Sequence, residues 1–269
     1  MTNDVNSCFA RFKNEVKSVK LWTEVFAEFL ITTLFISFVC GCSLAWNPPS
    51  SVMHMAISSG LGVATFAFTM WDVSSGLFNP ALTVAFFVGG KKTLAQTLFY
   101  IIAQVIGGIC GAAVIYGIAP EQAIVDSNLA VNLRNPDVSV GKALGMEIWI
   151  TFILVLVVFA AGDPDRHLSG YGPPLAIGFV VFVNLNLSIN LSGGGMNPTR
   201  SFGPAVVMNS WEDHWIYWVG PMIGAIAAAP IYNYVFSQRV YNSLLSQPQQ
   251  SENSTSNHDL DNENIQFQP

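Results

Sequence analysis

Charge is what this chain has least of. Asp, Glu, Lys and Arg make up 10% of its 269 residues, where a soluble domain carries about 25%. So few charges cannot cover the water-facing surface of one or two soluble domains. They gather in short patches, and the apolar runs between them are long. A hydrocarbon core of about 30 Å takes about 20 helical residues, so those runs can cross a bilayer. The composition points to a polytopic membrane protein in contact with lipid.

Other absences exclude further classes. No basic stripe is present, so nucleic acid is not a partner. Cys8, Cys40, Cys42 and Cys110 show no zinc-like pairing. Cys40 and Cys42 face different sides of one apolar helix, which disfavours a disulfide, and they read as small buried residues. The first twenty residues hold no apolar stretch, so no cleaved signal peptide is expected and the first span does the targeting. Four scattered histidines indicate no metal site. For His167, near Asp163 and Asp165, a pH sensor is the lesser reading. No nucleophile–base pair or phosphate loop appears, so neither an enzyme nor a cofactor is called for.

What is present is six apolar windows, at about 23–45, 52–70, 95–118, 142–162, 172–190 and 213–237. With the N-terminus inside, eight basic residues are cytoplasmic (Arg11, Lys13, Lys17, Lys20, Lys91, Lys92, Arg166, Arg239) and two, Arg134 and Lys142, are outside. That bias satisfies the positive-inside rule, so both termini are expected in the cytoplasm. The chain divides into a cytoplasmic N-terminal segment (1–21), a membrane domain (22–237) and a cytoplasmic tail (238–269). The tail, rich in Asn, Gln and Ser, is expected to be disordered.

Two further apolar segments, Pro80 to Gly89 and Pro198 to about Met208, are too short to span. At 1.5 Å per residue each reaches about 15 Å, half the core. Each begins with Asn-Pro. Asn is a strong helix N-cap, and Pro suits the first turn because its missing N–H would be unpaired there. The stretches before them, from Val73 and from Leu191, carry small residues and glycine, as re-entrant loops would. Glu28 and Glu147 are 119 residues apart, and Asn79 and Asn197 are 118 apart. Three spans per half put the halves in opposite orientations, an inverted repeat expected of membrane transport proteins. Half-helices entering from opposite faces would meet tip to tip near the midplane, each tip carrying about half a positive charge.

The residues Asn79-Pro80-Ala81, Asn197-Pro198-Thr199-Arg200-Ser201-Phe202-Gly203-Pro204, Glu28, Glu147 and the run from Gly172 resemble those of the aquaporins, the major intrinsic proteins. The likeness covers about Trp22 to Phe236. It implies an all-α fold of six transmembrane helices and two re-entrant half-helices, an hourglass pore in each protomer and a homotetramer. It also implies a plasma-membrane channel for water or small neutral solutes. It makes Glu28 and Glu147 buried braces for the loops and puts Arg200 in a selectivity constriction. Asn135-Pro136, with no apolar half-helix after it, reads as an ordinary turn.

Counting back from the motifs places Ser59, Leu185 and Gly194 with Arg200 at that constriction. Water-selective relatives usually carry Phe and His where Ser59 and Leu185 stand, so the filter reads as permissive. Ser201 stands where glycerol-conducting relatives usually have Asp, which pulls towards the water branch. Thr199 replaces the usual Ala of the second motif, and Gly194 lacks the thiol many relatives present. The expected activity is passive conduction of water with small uncharged solutes such as glycerol, urea, ammonia or hydrogen peroxide. Two alternatives stay open: a coupled secondary transporter, and a poorly conducting adhesion or signalling member of the family. Gly107 with Gly111, and Gly220 with Gly224, are spaced for close helix contact.

Overall fold

The computed structural model describes residues 10–46, 50–166, 172–237, 239–240 and 242. Cys8, His167 and nearly all of the tail read as disordered lie outside them. A short helix, α1 (10–16), leads into α2 (Val19–Cys42) and α3 (Val52–Met70). Then follow α4 (Pro80–Val88), α5 (Leu94–Ile118), α6 (Glu121–Ser127), α7 (Val140–Ala161), α8 (Gly172–Ser192), α9 (Pro198–Met208) and α10 (Ile216–Ile231). A π-helical turn, Tyr232–Phe236, extends α10. Six of these helices are long and apolar enough to span: α2, α3, α5, α7, α8, and α10 with its turn.

Side chains close several of the helix starts. Ser51 accepts from the His54 N–H, Ser139 from Lys142, and Thr93 with Gln96 forms a reciprocal capping box. These bonds satisfy N–H groups that a helix start otherwise leaves unpaired.

The halves pack as equivalents: α2 lies on α5, α7 on α10, and α3 on α8 across the repeat. Glycine sets the close approaches. A Cβ on Gly107 would stand 2.6 Å from the Phe29 carbonyl oxygen, and one on Gly220 would stand 2.6 Å from Cβ of Glu147. Small residues let backbones come this near, which is how helices associate where lipid removes the hydrophobic drive. Large apolar side chains such as Phe26, Ile102, Trp149 and Phe179 face outwards, as a bilayer-facing surface requires.

Among the described elements, α1 and α6 escaped the sequence reading. So did the 3-10 turn after α6, where Asn128, Leu129 and Ala130 all have positive φ (47°, 50° and 58°). Such backbone strains a residue with a Cβ. Leu129 is fully buried there, and its burial holds the turn. Asn135-Pro136 does form a turn, with the Val138 N–H donating to the Asn135 carbonyl at 2.9 Å.

Candidate functional site

The half-helices α4 and α9 start beside one another in the middle of the molecule. Asn79 caps α4, its Oδ1 accepting from the Ala81 N–H at 2.9 Å. Asn197 caps α9 in the same way, accepting from Thr199 N–H at 3.0 Å. Pro80 and Pro198 occupy the first helical turn. Each asparagine also reaches across the repeat. Asn79 Nδ2 donates to the Met196 carbonyl at 3.1 Å, and Asn197 Nδ2 donates to the Phe78 carbonyl at 2.9 Å. An amide nitrogen carries two N–H donors, so one on each asparagine is left over.

The loops before the caps match residue for residue. Ser75, Gly76 and Phe78 have φ of 78°, 53° and 33°; Gly193, Gly194 and Met196 have 87°, 69° and 54°. A buried glutamate holds each loop. Glu28 Oε1 accepts from Ser74 Oγ at 2.6 Å and Leu77 N–H at 3.0 Å, and its Oε2 accepts from Phe78 N–H at 2.7 Å. Glu147 Oε1 accepts from Ser192 Oγ at 2.6 Å and Gly195 N–H at 2.9 Å, with Met196 N–H on Oε2 at 2.9 Å. The serines are fixed from behind as well: Lys92 Nζ donates to the Ser74 carbonyl at 3.0 Å and Tyr217 OH to that of Ser192 at 2.7 Å. Backbone donors with no water to turn to thus find carboxylate oxygens.

Two cavities meet at this centre. One, of about 240 Å³, runs from Trp71, Lys91 and Gly162 past both asparagines. The other, of about 330 Å³, opens between Ser43, Ser50 and Asn132. Ser59, Leu185 and Arg200 line both, so they form the neck between them. Gly194 lines the first. The structure therefore brings all four sequence-derived constriction residues to one place, beside the paired caps. Arg200 is aimed by the strained turn after α6, its Nη1 donating to the Ala130 carbonyl at 2.7 Å. Opposite, the wall of the first cavity is apolar, with Phe35, Val63 and Val181. At the far end of the first cavity Lys91 Nζ stands 4.3 Å from the Phe159 ring centroid. Burial pushes its ammonium pKa down, and Asp163 works against that shift.

Neither Thr199 nor Ser201 lines either cavity. Thr199 is fully buried, its hydroxyl has no hydrogen-bond partner among the described residues, and its methyl packs on Gly108. Ser201 Oγ donates to Asn132 Oδ1 at 2.9 Å. The sequence reading missed Gln104 and Asn184. Gln104 Nε2 donates to Glu28 Oε2 at 2.7 Å, and Asn184 Nδ2 to the Ile150 carbonyl at 2.8 Å. A carboxamide inside an apolar span is a signal in itself.

Known proteins resemble this chain in sequence and fold. A family model described as major intrinsic protein matches residues 15–232. Aquaporin-5 of Homo sapiens is 43% identical over 225 residues, which cover 83% of this chain and 84% of that protein. The lens fiber major intrinsic protein of Ovis aries is 38% identical over 227 residues, 84% of this chain and 86% of its own. An aquaglyceroporin from Plasmodium falciparum, solved by X-ray crystallography, superposes with a TM-score of 0.70 at 18% identity, covering 83% of this chain and 98% of that one. At that identity the likeness speaks for the fold alone. Paired caps, braced loops and a match of this breadth converge on one conclusion: the chain is a multi-pass membrane protein of the major intrinsic protein family, whose members are channels and not enzymes.

Proposed function

We propose that this chain is a passive conduit for water and for small uncharged solutes of the size of urea or glycerol, closed to protons and ions. The observation that carries this reading is the neck of Ser59, Leu185 and Arg200 at the tips of two facing half-helices. Each tip presents roughly half a positive charge, and Arg200 adds a whole one. Cations and protons meet a barrier there, while a neutral solute meets donors. A spare N–H on each asparagine and the Arg200 guanidinium hydrogen-bond the solute on one side. Leu185 and the apolar wall give it nothing to hold on the other. Among the described residues no aromatic ring lines both cavities at the neck, which favours solutes wider than water.

A coupled transporter is the main rival, and its ion-binding acid would be Glu28 or Glu147. Both are fully buried, line neither cavity and already accept from several donors. This supports bracing over proton relay. We place the chain in the plasma membrane with both termini in the cytoplasm, assembled as a homotetramer, following the basic-residue bias and the family likeness. Swelling and solute-uptake assays on proteoliposomes test the proposal. Water flux with uptake of urea or glycerol is the expected result; water flux alone refutes the permissive filter. Uphill uptake driven by a proton gradient would favour the transporter, and permeability equal to empty vesicles would favour a non-conducting member.

A further inference from the structure

A third hollow, of about 930 Å³, lies beside the inner mouth of the conduit, between α1, the end of α4 and the start of α5. The channel reading does not use it. Phe12, Phe87 and Leu98 make its apolar surface. Three basic residues, Arg11, Lys91 and Lys92, are among those that line it, and Glu15 is the one acid among its described lining residues. That acid is held by Thr93, whose Oγ1 donates to Glu15 Oε1 at 2.6 Å.

The cations differ in how far they are committed. Lys92 Nζ is held by the Ser74 carbonyl and the Tyr100 hydroxyl. Lys91 rests on the rings of Phe159 and Phe86, with no carboxylate at ion-pair distance among the described residues. Arg11 is exposed and makes no hydrogen bond or ion pair among them. Below the hollow, α5 presents Leu94, Leu98, Ile102 and Ile106 outwards, each 47–53% exposed. Their spacing puts them on one helix face, a strip about 18 Å long at 1.5 Å per residue.

We propose that this hollow seats an acidic phospholipid from the leaflet on the N-terminal side. The phosphate and the acidic headgroup lie between Arg11 and Lys91, with Lys92 behind them, and one acyl chain follows the α5 strip. Charge complementarity selects an anion, since three basic residues line the hollow against one acid, Arg11 is unpaired among the described residues and Lys91 meets only aromatic rings at close range. The apolar surface, continuous with a face that already meets bilayer, selects a lipid over a soluble anion. Basic residues at a membrane surface draw acidic lipid by about fivefold each.

Native mass spectrometry of the full-length protein, equilibrated with equal amounts of phosphatidylserine and phosphatidylcholine, tests this. The wild type should retain phosphatidylserine in excess by about twenty-five-fold, from two engaged cations at about fivefold each. Arg11→Gln should cut that excess several-fold, and Arg11→Gln/Lys91→Gln should bring it near unity. Arg11→Gln alters an exposed, unpartnered side chain, so its thermal unfolding should match the wild type and separate lost binding from lost fold. Equal retention of both lipids by the wild type overturns the proposal. So does a preference that survives in the double variant. Inorganic phosphate in excess should leave the lipid bound; displacement by phosphate would mean a soluble-anion site and would overturn the lipid assignment.

Discussion

Asn79 and Asn197 each tie down the loop that carries the other, through the Met196 carbonyl at 3.1 Å and the Phe78 carbonyl at 2.9 Å. The two half-helices are therefore one unit. Neither cap can move without releasing a buried carbonyl of the opposite half, so the donors that face the conduit are fixed in place before any solute arrives. Preorganised donors of this kind cost no rearrangement as a solute passes.

The braces should behave as structure. Glu147→Gln swaps one carboxylate oxygen for an N–H group facing loop donors, and a buried donor left unpaired costs about 1–3 kcal/mol. Thermal unfolding in detergent should shift down by several degrees, with solute flux reduced in proportion to folded protein. A variant that stays fully stable yet loses proton-driven accumulation would instead mark Glu147 as a relay.

Thr199 and Gly108 should be coupled. A Cβ on Gly108 would collide with the Thr199 methyl, and overpacking of this sort costs about 1–3 kcal/mol. Gly108→Ala should lower stability by that order. Thr199→Ala should recover part of the loss in the same chain, as a double-mutant cycle on thermal unfolding would show. Additive effects would mean that the two residues do not press on each other.

That pair marks the limit of what the sequence reveals. Periodicity and caps disclose the six spans and both half-helices because each depends on neighbours along the chain. The spacing of Glu28 with Glu147 and of Asn79 with Asn197 discloses the repeat, and counting back from the motifs finds Ser59, Leu185 and Gly194. Gly108 answers Thr199 from a different helix, and nothing local to either residue announces the other. The same holds for Ala130, whose carbonyl aims Arg200. Its turn needs positive φ at Asn128, Leu129 and Ala130, two of which are residue types that rarely adopt it, so tertiary burial overrides local preference there.

The neck should respond to bulk. Gly194 has φ of 69°, and a Cβ there would lie 2.7 Å from Leu185 Cδ2 and 2.9 Å from Ser188 Oγ. Gly194→Ala should push Leu185 towards Arg200, lowering urea or glycerol uptake more than water flux. Ser59→Phe/Leu185→His should do so more strongly, cutting solute uptake by about tenfold while water still passes. Unchanged ratios of solute to water flux in stopped-flow measurements would show that these residues do not set the cut-off.

Stability should also depend on pH through His214. Its ring packs among Phe202, Trp211 and Tyr217, with Nε2 accepting from Trp218 Nε1 at 3.2 Å. Burial pushes its pKa below the ordinary value of 6.5. The unfolded chain then binds the proton more readily than the folded one, so stability is fully present above about 6.5 and declines as pH falls towards the folded-state value. Unfolding midpoints recorded from pH 8 down to about pH 5 should drop in the wild type and drop less in His214→Phe. Parallel profiles would assign the acid sensitivity to other groups.

On the proposed function, solute passes through the neck bounded by Ser59, Leu185 and Arg200. Stopped-flow osmotic permeability of proteoliposomes carrying the wild type or Ser59→Trp tests it most directly. Wild-type vesicles should shrink well faster than protein-free ones, and the indole should return the rate to the protein-free level in protein that remains folded. A Ser59→Trp chain that conducts water as fast as the wild type would contradict this route.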